Sequence, residues 1–392
     1  MDRKKLLTRR NTLKLCLPAF VGMGAAIGVD LVDEIESTLA LDNPKRSFNL
    51  IGNKSLRERA AAKGIIFGSS VRYNDLTSSS GYAKLVAREC GILVPEWELK
   101  WVCGDKALRP NARDFDFKSA DWIAEFGRKN KMLLRGHALV WHESLPKWFG
   151  EQVNAKNAEQ FLRTHIKTVM GHYAGKVHSW DVVNEALGWW DHRPDGLRNT
   201  PWLKFLGKDY IDLAFRLAAE ADPRALLTYN EFGLDYNTPE DEAKRQALLK
   251  LLRYLKAKGT PIQALGIQAH LSAERSTFSQ QKFRRFLGEI ASLGLKIMIT
   301  ELDVADNKLP LDINKRDRIV AGVYEDYLSA ALDEKAVILV TTWGLSDRYS
   351  WLNDFAPRKD KAAVRPMPFD RNYQSKLAMK AIGRAFDKAP KR

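Results

Sequence analysis

The sequence predicts an α/β fold in one domain, with eight parallel strands alternating with helices and closing into a (β/α)8 barrel. Eight short apolar runs recur along the chain, at Gly64–Gly68, Ile92–Pro95, Met132–His137, Trp180–Asn184, Ala225–Asn230, Ala264–Ala269, Lys296–Glu301 and Val337–Trp343. Each run is continuous rather than alternating, the pattern of a parallel strand covered on both faces. Most intervals between them carry a helical pattern, and polar and aromatic residues collect at the strand ends, where this barrel class builds its sites. A doubly wound sheet fits less well, because no glycine-rich phosphate turn follows the first strand.

The N-terminus stands apart from that alternation. Arg3, Lys4 and Lys5 lead to Thr8-Arg9-Arg10-Asn11-Thr12-Leu13-Lys14 and then to an apolar run from Leu15 to Val29. A basic start followed by such a run is a secretory signal, and the paired arginines resemble the twin-arginine type, which exports folded proteins. The run is shorter than the roughly 20 residues a membrane span needs, and Gly22, Gly24 and Gly28 loosen it. Residues 1–40 are therefore expected to be a signal peptide and short lead-in, with Thr38-Leu39-Ala40 one cleavage site. Residues 41–392 form the catalytic domain, exported to the periplasm or secreted and a monomer free of the membrane. No Pro-, Ser- or Gly-rich linker divides that domain.

The interval after the fifth strand shows how the helices are written. Thr238 caps, Pro239 occupies the first turn, and Glu240, Asp241 and Glu242 meet the positive helix end. Leu248, Leu251, Leu252 and Leu255 make one apolar face, and Lys256, Lys258 and Gly259 close the helix. The whole layout is that of a TIM barrel.

Composition narrows the partners. The 392 residues are 45% hydrophobic and 28% charged, an ordinary globular balance, with a formal charge of +15. Residues 1–40 hold six of the cations and five of the acids, which leaves +14 on the remainder. The basic residues are scattered, without the aromatic interleaving of a single-strand binder, so nucleic acid is not expected as a partner. Only Cys90 and Cys103 remain beyond the signal; they flank one strand, and nothing requires them to pair. No Cys/His pair has structural-zinc spacing.

The strand ends decide the chemistry. The second strand ends in Glu96, with Lys100 and Trp101 beyond; the third in Arg135-Gly136-His137, followed by Trp141 and His142. The fourth ends in Asn184-Glu185 and the fifth in Asn230-Glu231. The sixth carries Gln268 and His270, the seventh Glu301 and Asp303, and the eighth Trp343, with Trp351 downstream. Cleaving a glycosidic bond requires an acid for the leaving oxygen and a second carboxylate across the sugar; in retaining enzymes the two lie about 5–5.5 Å apart. Glu185 is expected to be the acid/base and Glu301 the nucleophile. Asn184 suits a bond to the sugar's 2-hydroxyl, and His270 or Asp303 would hold Glu301 ionised. Indoles at Trp141, Trp343 and Trp351 offer flat faces to sugar C–H groups. Either glutamate alone reads more plainly as a solvated loop residue or ion-pair partner; the pair, on strands four and seven, carries the reading. Glu231 is the best decoy, Asp181 reads as a partner for neighbouring strand residues, and Trp122, Trp148 and Trp180 read as core.

With those residues in view, the chain resembles the glycoside hydrolase family 10 xylanases from about Leu56 to Ala385. The matching stretches are Arg135–His142, Trp180–Ala186, Gly266–Leu271, Ile299–Val304 and Thr342-Trp343-Gly344 through Ser350-Trp351. The resemblance implies retaining endo-hydrolysis of β-1,4-xylan with no metal and no organic cofactor. It implies acid/base at Glu185, nucleophile at Glu301, and sugar binding by Glu96, Lys100, His137, Trp141, Asn184, Gln268, Trp343 and Trp351, with His270 as the nucleophile's hydrogen-bond partner. Two departures stand out. The family usually has Asn after the strand-two glutamate, where this chain has Trp97, which puts the glycone side in question. After the fifth strand the family tends to read Tyr-Asn-Asp-Tyr-Asn, against Tyr229-Asn230-Glu231-Phe232-Gly233 here. The alternatives are a related barrel glycosidase acting on another β-1,4-glycan or on short or decorated xylo-oligosaccharides, and a non-catalytic sugar-binding barrel, which would be expected to lack one carboxylate.

Overall fold

The computed structural model describes residues 42–274 and 277–392. The expected signal peptide lies outside the described residues. Within them, the strands are β1 (Ile66–Val71), β2 (Ile92–Pro95), β3 (Leu133–Gly136), β4 (Ser179–Asn184), β5 (Leu226–Glu231), β6 (Ala264–Ile267), β7 (His270–Ser272), β8 (Lys296–Ala305) and β9 (Val337–Thr342). The sheet runs β6-β5-β4-β3-β2-β1-β9-β8, and β6 pairs with β8, so eight parallel strands close on themselves. The seam is the β1–β9 pairing, with Ile66 opposite Leu339. Closure leaves the eight strands without a free edge.

Two differences from the expected strands matter for the site. The seventh barrel strand, β8, continues past Glu301 to Ala305 and keeps Asp303 buried within it. The short β7 pairs with that extension, His270 opposite Asp303. Sequence reading ended the strand at Glu301 because the acids at 301 and 303 break the apolar run. The structure accepts them because they alternate with buried Leu302 and Val304.

The strands are buried almost throughout. Ile92, Ala264, Met298 and Leu339, with Ile66, Leu226 and Ile338 packed against them, form their own apolar layer. Around the barrel lie α1 (Leu56–Ala61), α2 (Tyr73–Ser78), α3 (Ser80–Glu89), α4 (Lys118–Lys129), α5 (Lys147–Gln152) and α6 (Ala158–His172). They are followed by α7 (Pro201–Leu206), α8 (Tyr210–Ala221), α9 (Pro239–Ala257), α10 (Gln280–Ser292), α11 (Ile313–Leu332), α12 (Leu352–Phe355) and α13 (Leu377–Lys388). Helix α9 forms as its sequence dictates: the Thr238 hydroxyl accepts from the Asp241 amide, the four leucines are buried, and Gly259 takes φ +67° beyond the end. Among the described residues no helix is long and apolar enough to cross a membrane.

Side chains expected in the core divide. Trp180 is fully buried and Trp148 nearly so, whereas Trp122 is exposed, edge-on to Tyr73 at 5.3 Å. Trp122 lies on α4 and is covered only in part, by Tyr73 and by Phe126 stacked at 5.6 Å. Cys90 is a buried free thiol, so it makes no bridge to Cys103.

Candidate active site

The C-terminal end of β4 and the middle of β8 hold the two expected carboxylates, and the neighbouring strands supply the groups between them. Glu185 leaves β4 with φ +57°, its amide donating to the Asn230 carbonyl at 2.9 Å. Its Oε1 accepts from Gln268 Nε2 at 3.0 Å and from Asn184 Nδ2 at 3.2 Å. Its Oε2 accepts no hydrogen bond and lies 3.6 Å from an Arg198 nitrogen. Glu301 Oε1 accepts from Asn230 Nδ2 at 2.8 Å, and that same amide donates to Asn184 Oδ1 at 2.9 Å. The Thr300 hydroxyl donates to Asn230 Oδ1 at 2.7 Å and fixes which way the amide points. A continuous chain of side-chain amides therefore ties Glu185 to Glu301 through Asn184 and Asn230. Gly266 of β6 leaves the room this requires, since a Cβ there would stand 2.2 Å from Asn230 Oδ1.

The two carboxylates differ in surroundings. Glu301 Oε2 is 3.3 Å from His270 Nε2, and His270 Nδ1 is 3.1 Å from Asp303 Oδ1. With a carboxylate on each side, both ring nitrogens donate, which makes the ring an imidazolium. Burial works against a charge on His270, but Asp303 and Glu301 outweigh it and hold its pKa well above the ordinary value. Asp303 is fixed in turn by Trp351 Nε1, which donates to its Oδ2 at 2.6 Å. Burial alone would push the Glu301 carboxyl up. The charge of His137, the bond and charge of His270, and Lys100 overcome that and bring it from 4.5 to about 2. His137 Nδ1 is 4.0 Å from Glu301 and 2.9 Å from Asp181, whose other oxygen accepts from Arg135 at 2.5 Å. Asp181 is thus the partner of strand residues that the sequence suggested.

The remaining expected binding residues gather around this pair. Lys100 is buried, its Nζ 4.8 Å from the centre of the Trp141 ring and 5.8 Å from that of Trp343. Burial lowers its pKa against the pull of Glu96, Glu301 and Glu185. His137 meets Trp343 edge-on at 5.2 Å, and His270 lies 5.1 Å from Trp351. Trp141 Nε1 is buried without a hydrogen-bond partner. Glu96 is engaged by Arg72 at 2.7 Å and by the Ser70 hydroxyl at 3.3 Å. The Arg72 guanidinium also lies 4.5 Å over the ring of half-buried Trp97.

Glu231, the decoy, is fully buried and satisfied elsewhere. Lys244 Nζ lies 2.7 Å away, and the Tyr229 hydroxyl and Leu187 amide donate to its Oε2 at 2.7 and 3.1 Å. Sequence reasoning missed Arg198 beside Glu185, Arg72 beside Glu96, and the bridging role of Asn230. Arg72 and Arg198 lie on connections without periodicity; Asn230 was visible as a strand-end amide.

The family model for glycosyl hydrolase family 10 matches residues 55–385. Endo-1,4-beta-xylanase 1 of Humicola insolens is 34% identical over 83% of this chain and 73% of its own length. Endo-1,4-beta-xylanase B of Thermotoga neapolitana is 34% identical over 81% of this chain and 86% of its own. The crystal structure of native xylanase 10B from Thermotoga maritima superposes with a TM-score of 0.76 at 34% identity, covering 85% of this chain and 98% of that one. The xylanase 10B of Thermotoga petrophila, solved with xylobiose, gives 0.77 at 33% identity, covering 87% and 99%.

Proposed function

The chain belongs to glycosyl hydrolase family 10, and on that premise we propose that it is a retaining endo-β-1,4-xylanase with Glu301 as nucleophile and Glu185 as acid/base. The observation that carries the residue roles is the asymmetry of the two carboxylates. Glu301 is held ionised between His270, His137 and Lys100, while Glu185 keeps one oxygen free of hydrogen bonds. In the first step Glu301 attacks the anomeric carbon as Glu185 Oε2 gives its proton to the glycosidic oxygen, and the aglycone leaves. Glu185, now ionised, takes a proton from water, whose oxygen displaces Glu301 and restores the anomeric configuration. Asn184 and Gln268, already bonded to Glu185 Oε1, keep that oxygen occupied so that Oε2 does the proton transfer. Neither step calls for a metal or an organic cofactor.

The polymer is a polysaccharide, and xylan is the substrate its relatives' names support. Trp97 beneath Arg72 favours one refinement, a glycone side adapted to short or decorated chains. Export through the twin-arginine route, resting on Arg9-Arg10 and the apolar run after them, belongs to the same reading. The test is hydrolysis of xylan, β-glucan and mannan side by side, with chromatography of the products and NMR of the first-formed anomer. Short xylo-oligosaccharides with β-configuration from xylan alone are expected. Cleavage of another polymer alone refutes the substrate, and α-anomers refute the double displacement.

A further inference from the structure

Glu185 Oε2, the oxygen from which the proton leaves, has a permanent cation beside it that the two-carboxylate chemistry does not call for. Arg198 Nη1 stands 3.6 Å away. That separation is too long for a hydrogen bond but short enough for charge to act. Oε2 therefore stays open to the glycosidic oxygen while a cation faces it. A guanidinium keeps its proton at any working pH, so this charge does not switch off.

The side chain is locked in place by several elements. The loop after β4 is braced: Leu187 bridges Leu197 in antiparallel fashion, and the Gly188 amide donates to the Gly196 carbonyl at 3.0 Å. The Arg198 amide donates to the carbonyl of Ala186 at 2.7 Å, which fastens it to the residue after Glu185. Arg198 is 4% exposed, its guanidinium 4.6 Å over the Trp190 ring and 5.5 Å from the centre of that of Phe232. Nη1 donates to His142 Nε2 at 2.5 Å, whereas Nε and Nη2 are buried without a protein hydrogen-bond partner. An ion pair built for stability would grip the carboxylate with two parallel hydrogen bonds. Arg198 instead stands off Glu185, held by rings and a neighbouring imidazole.

Other charges face the pair from the elements around it. Lys244 of α9 interacts with both Arg198 and Glu185, and Glu231 matches it at 2.7 Å. Lys100, after β2, is drawn more strongly by Glu96 and Glu301 than by Glu185. Glu143 Oε1 lies 3.0 Å from His142 Nε2, and Tyr210 of α8 faces Arg198.

We propose that Arg198 is a positioning residue that acts through Glu185, its fixed charge stabilising the carboxylate formed when the leaving oxygen is protonated. The inference rests on the acid/base reading and extends it. As Glu301 bonds to the anomeric carbon and the glycosidic bond breaks, the proton on Oε2 passes to the leaving oxygen. The electron pair of that O–H bond stays on Oε2, facing Arg198.

The test follows kcat/KM against pH for wild type, Arg198→Met and Arg198→Lys on phenyl and 2,4-dinitrophenyl β-xylobiosides. Phenolate needs the proton to leave, whereas dinitrophenolate does not. Arg198→Met is expected to lower kcat/KM on the phenyl substrate by roughly three- to thirtyfold, and on the dinitrophenyl substrate by less than about twofold. Without the cation Glu185 keeps its proton to higher pH, so the basic limb on the phenyl substrate should move up by about 1 pH unit. Arg198→Lys returns a charge and should recover part of both effects, which a merely structural role would not require. Turnover of the dinitrophenyl substrate reports that each variant is folded, and Arg198→Gln, which can still donate to His142, serves where methionine disturbs the fold. Equal losses on the two substrates, or an unmoved basic limb, overturn the role of Arg198 and leave the xylanase reading standing. A wild type inactive on both substrates overturns both.

Discussion

His270→Ala probes the proposed nucleophile through its nearest cation. The imidazolium lies 3.3 Å from Glu301 and stays charged because Asp303 holds its other nitrogen. The separation between 4.5 and about 2 for the Glu301 carboxyl corresponds to roughly 3 kcal/mol in favour of the ionised form. His137 at 4.0 Å and the more distant Lys100 share in that preference. Because the folded value is depressed, its contribution to stability is present above about 4.5 and is lost as the pH falls through about 2. Removing the closest cation raises the carboxyl, so the acidic limb of kcat/KM should move up by about 1–2 pH units. A hydrogen bond to an ionised group contributes about 1.5–3 kcal/mol. The loss near pH 6, where Glu301 remains ionised, should therefore be about 10- to 100-fold from orientation alone. The assay is the pH dependence of kcat/KM on an aryl β-xylobioside, with circular dichroism at each pH to establish that the variant is folded. A folded variant with an unmoved acidic limb would refute the assignment of His270 as the group that holds the nucleophile ionised.

The other expectations follow from the same geometry. Glu185→Gln should cost about 10²- to 10⁴-fold on xylan but far less on aryl glycosides with activated leaving groups; equal losses would contradict the acid role. Glu301→Ala should abolish turnover with the fold intact, and substantial residual hydrolysis would rule out the nucleophile. Trp97→Asn removes the indole beneath Arg72 and should raise activity on unsubstituted xylan, measured as kcat/KM; no change would mean that the ring does not obstruct the glycone side. Lys244→Met leaves Glu231 buried without its cation, so denaturant unfolding should show a loss of about 3–5 kcal/mol, and a near-neutral result would show that Tyr229 and the Leu187 amide suffice.

Much of this architecture was legible because a parallel barrel writes itself in one code. Its strands are buried on both faces, so runs such as Trp180–Asn184 and Ala264–Ala269 stand out from the helical intervals without any alternation to interpret. The place of a residue in the candidate site was less legible the farther that residue lies from a strand. Glu185 and Glu301 end predicted strands and were found; Arg198 sits on a braced loop, its place set by contacts with Trp190 and His142 that no local pattern encodes. Arg72 is similar, one residue past β1 and brought to Glu96 only by the β1–β2 pairing. The extension of β8 was hidden because acids normally end a strand, and here Asp303 is acceptable only with His270 and Trp351 closing around it. Glu231 shows the converse. A buried strand-end carboxylate looks catalytic until Lys244, in the second turn of α9, is seen to reach it.

The seam between β1 and β9 has a kinetic consequence. Ile66 and Leu339 pair across roughly 270 residues of intervening chain, a closure costing about 5 kcal/mol in loop entropy beyond a constant term. Local hairpins cannot contribute to it, since every neighbouring pair of barrel strands is parallel and separated by a crossover. The helices and their adjoining strands can form as local units, and β4 reaches β8 through β5 and β6, but Lys100, after β2, comes beside Trp343, after β9, across the β1–β9 seam. Recovery of full hydrolytic turnover after denaturation should therefore lag the burial of the tryptophans, because the strand ends that surround the carboxylates are complete only when the seam has closed.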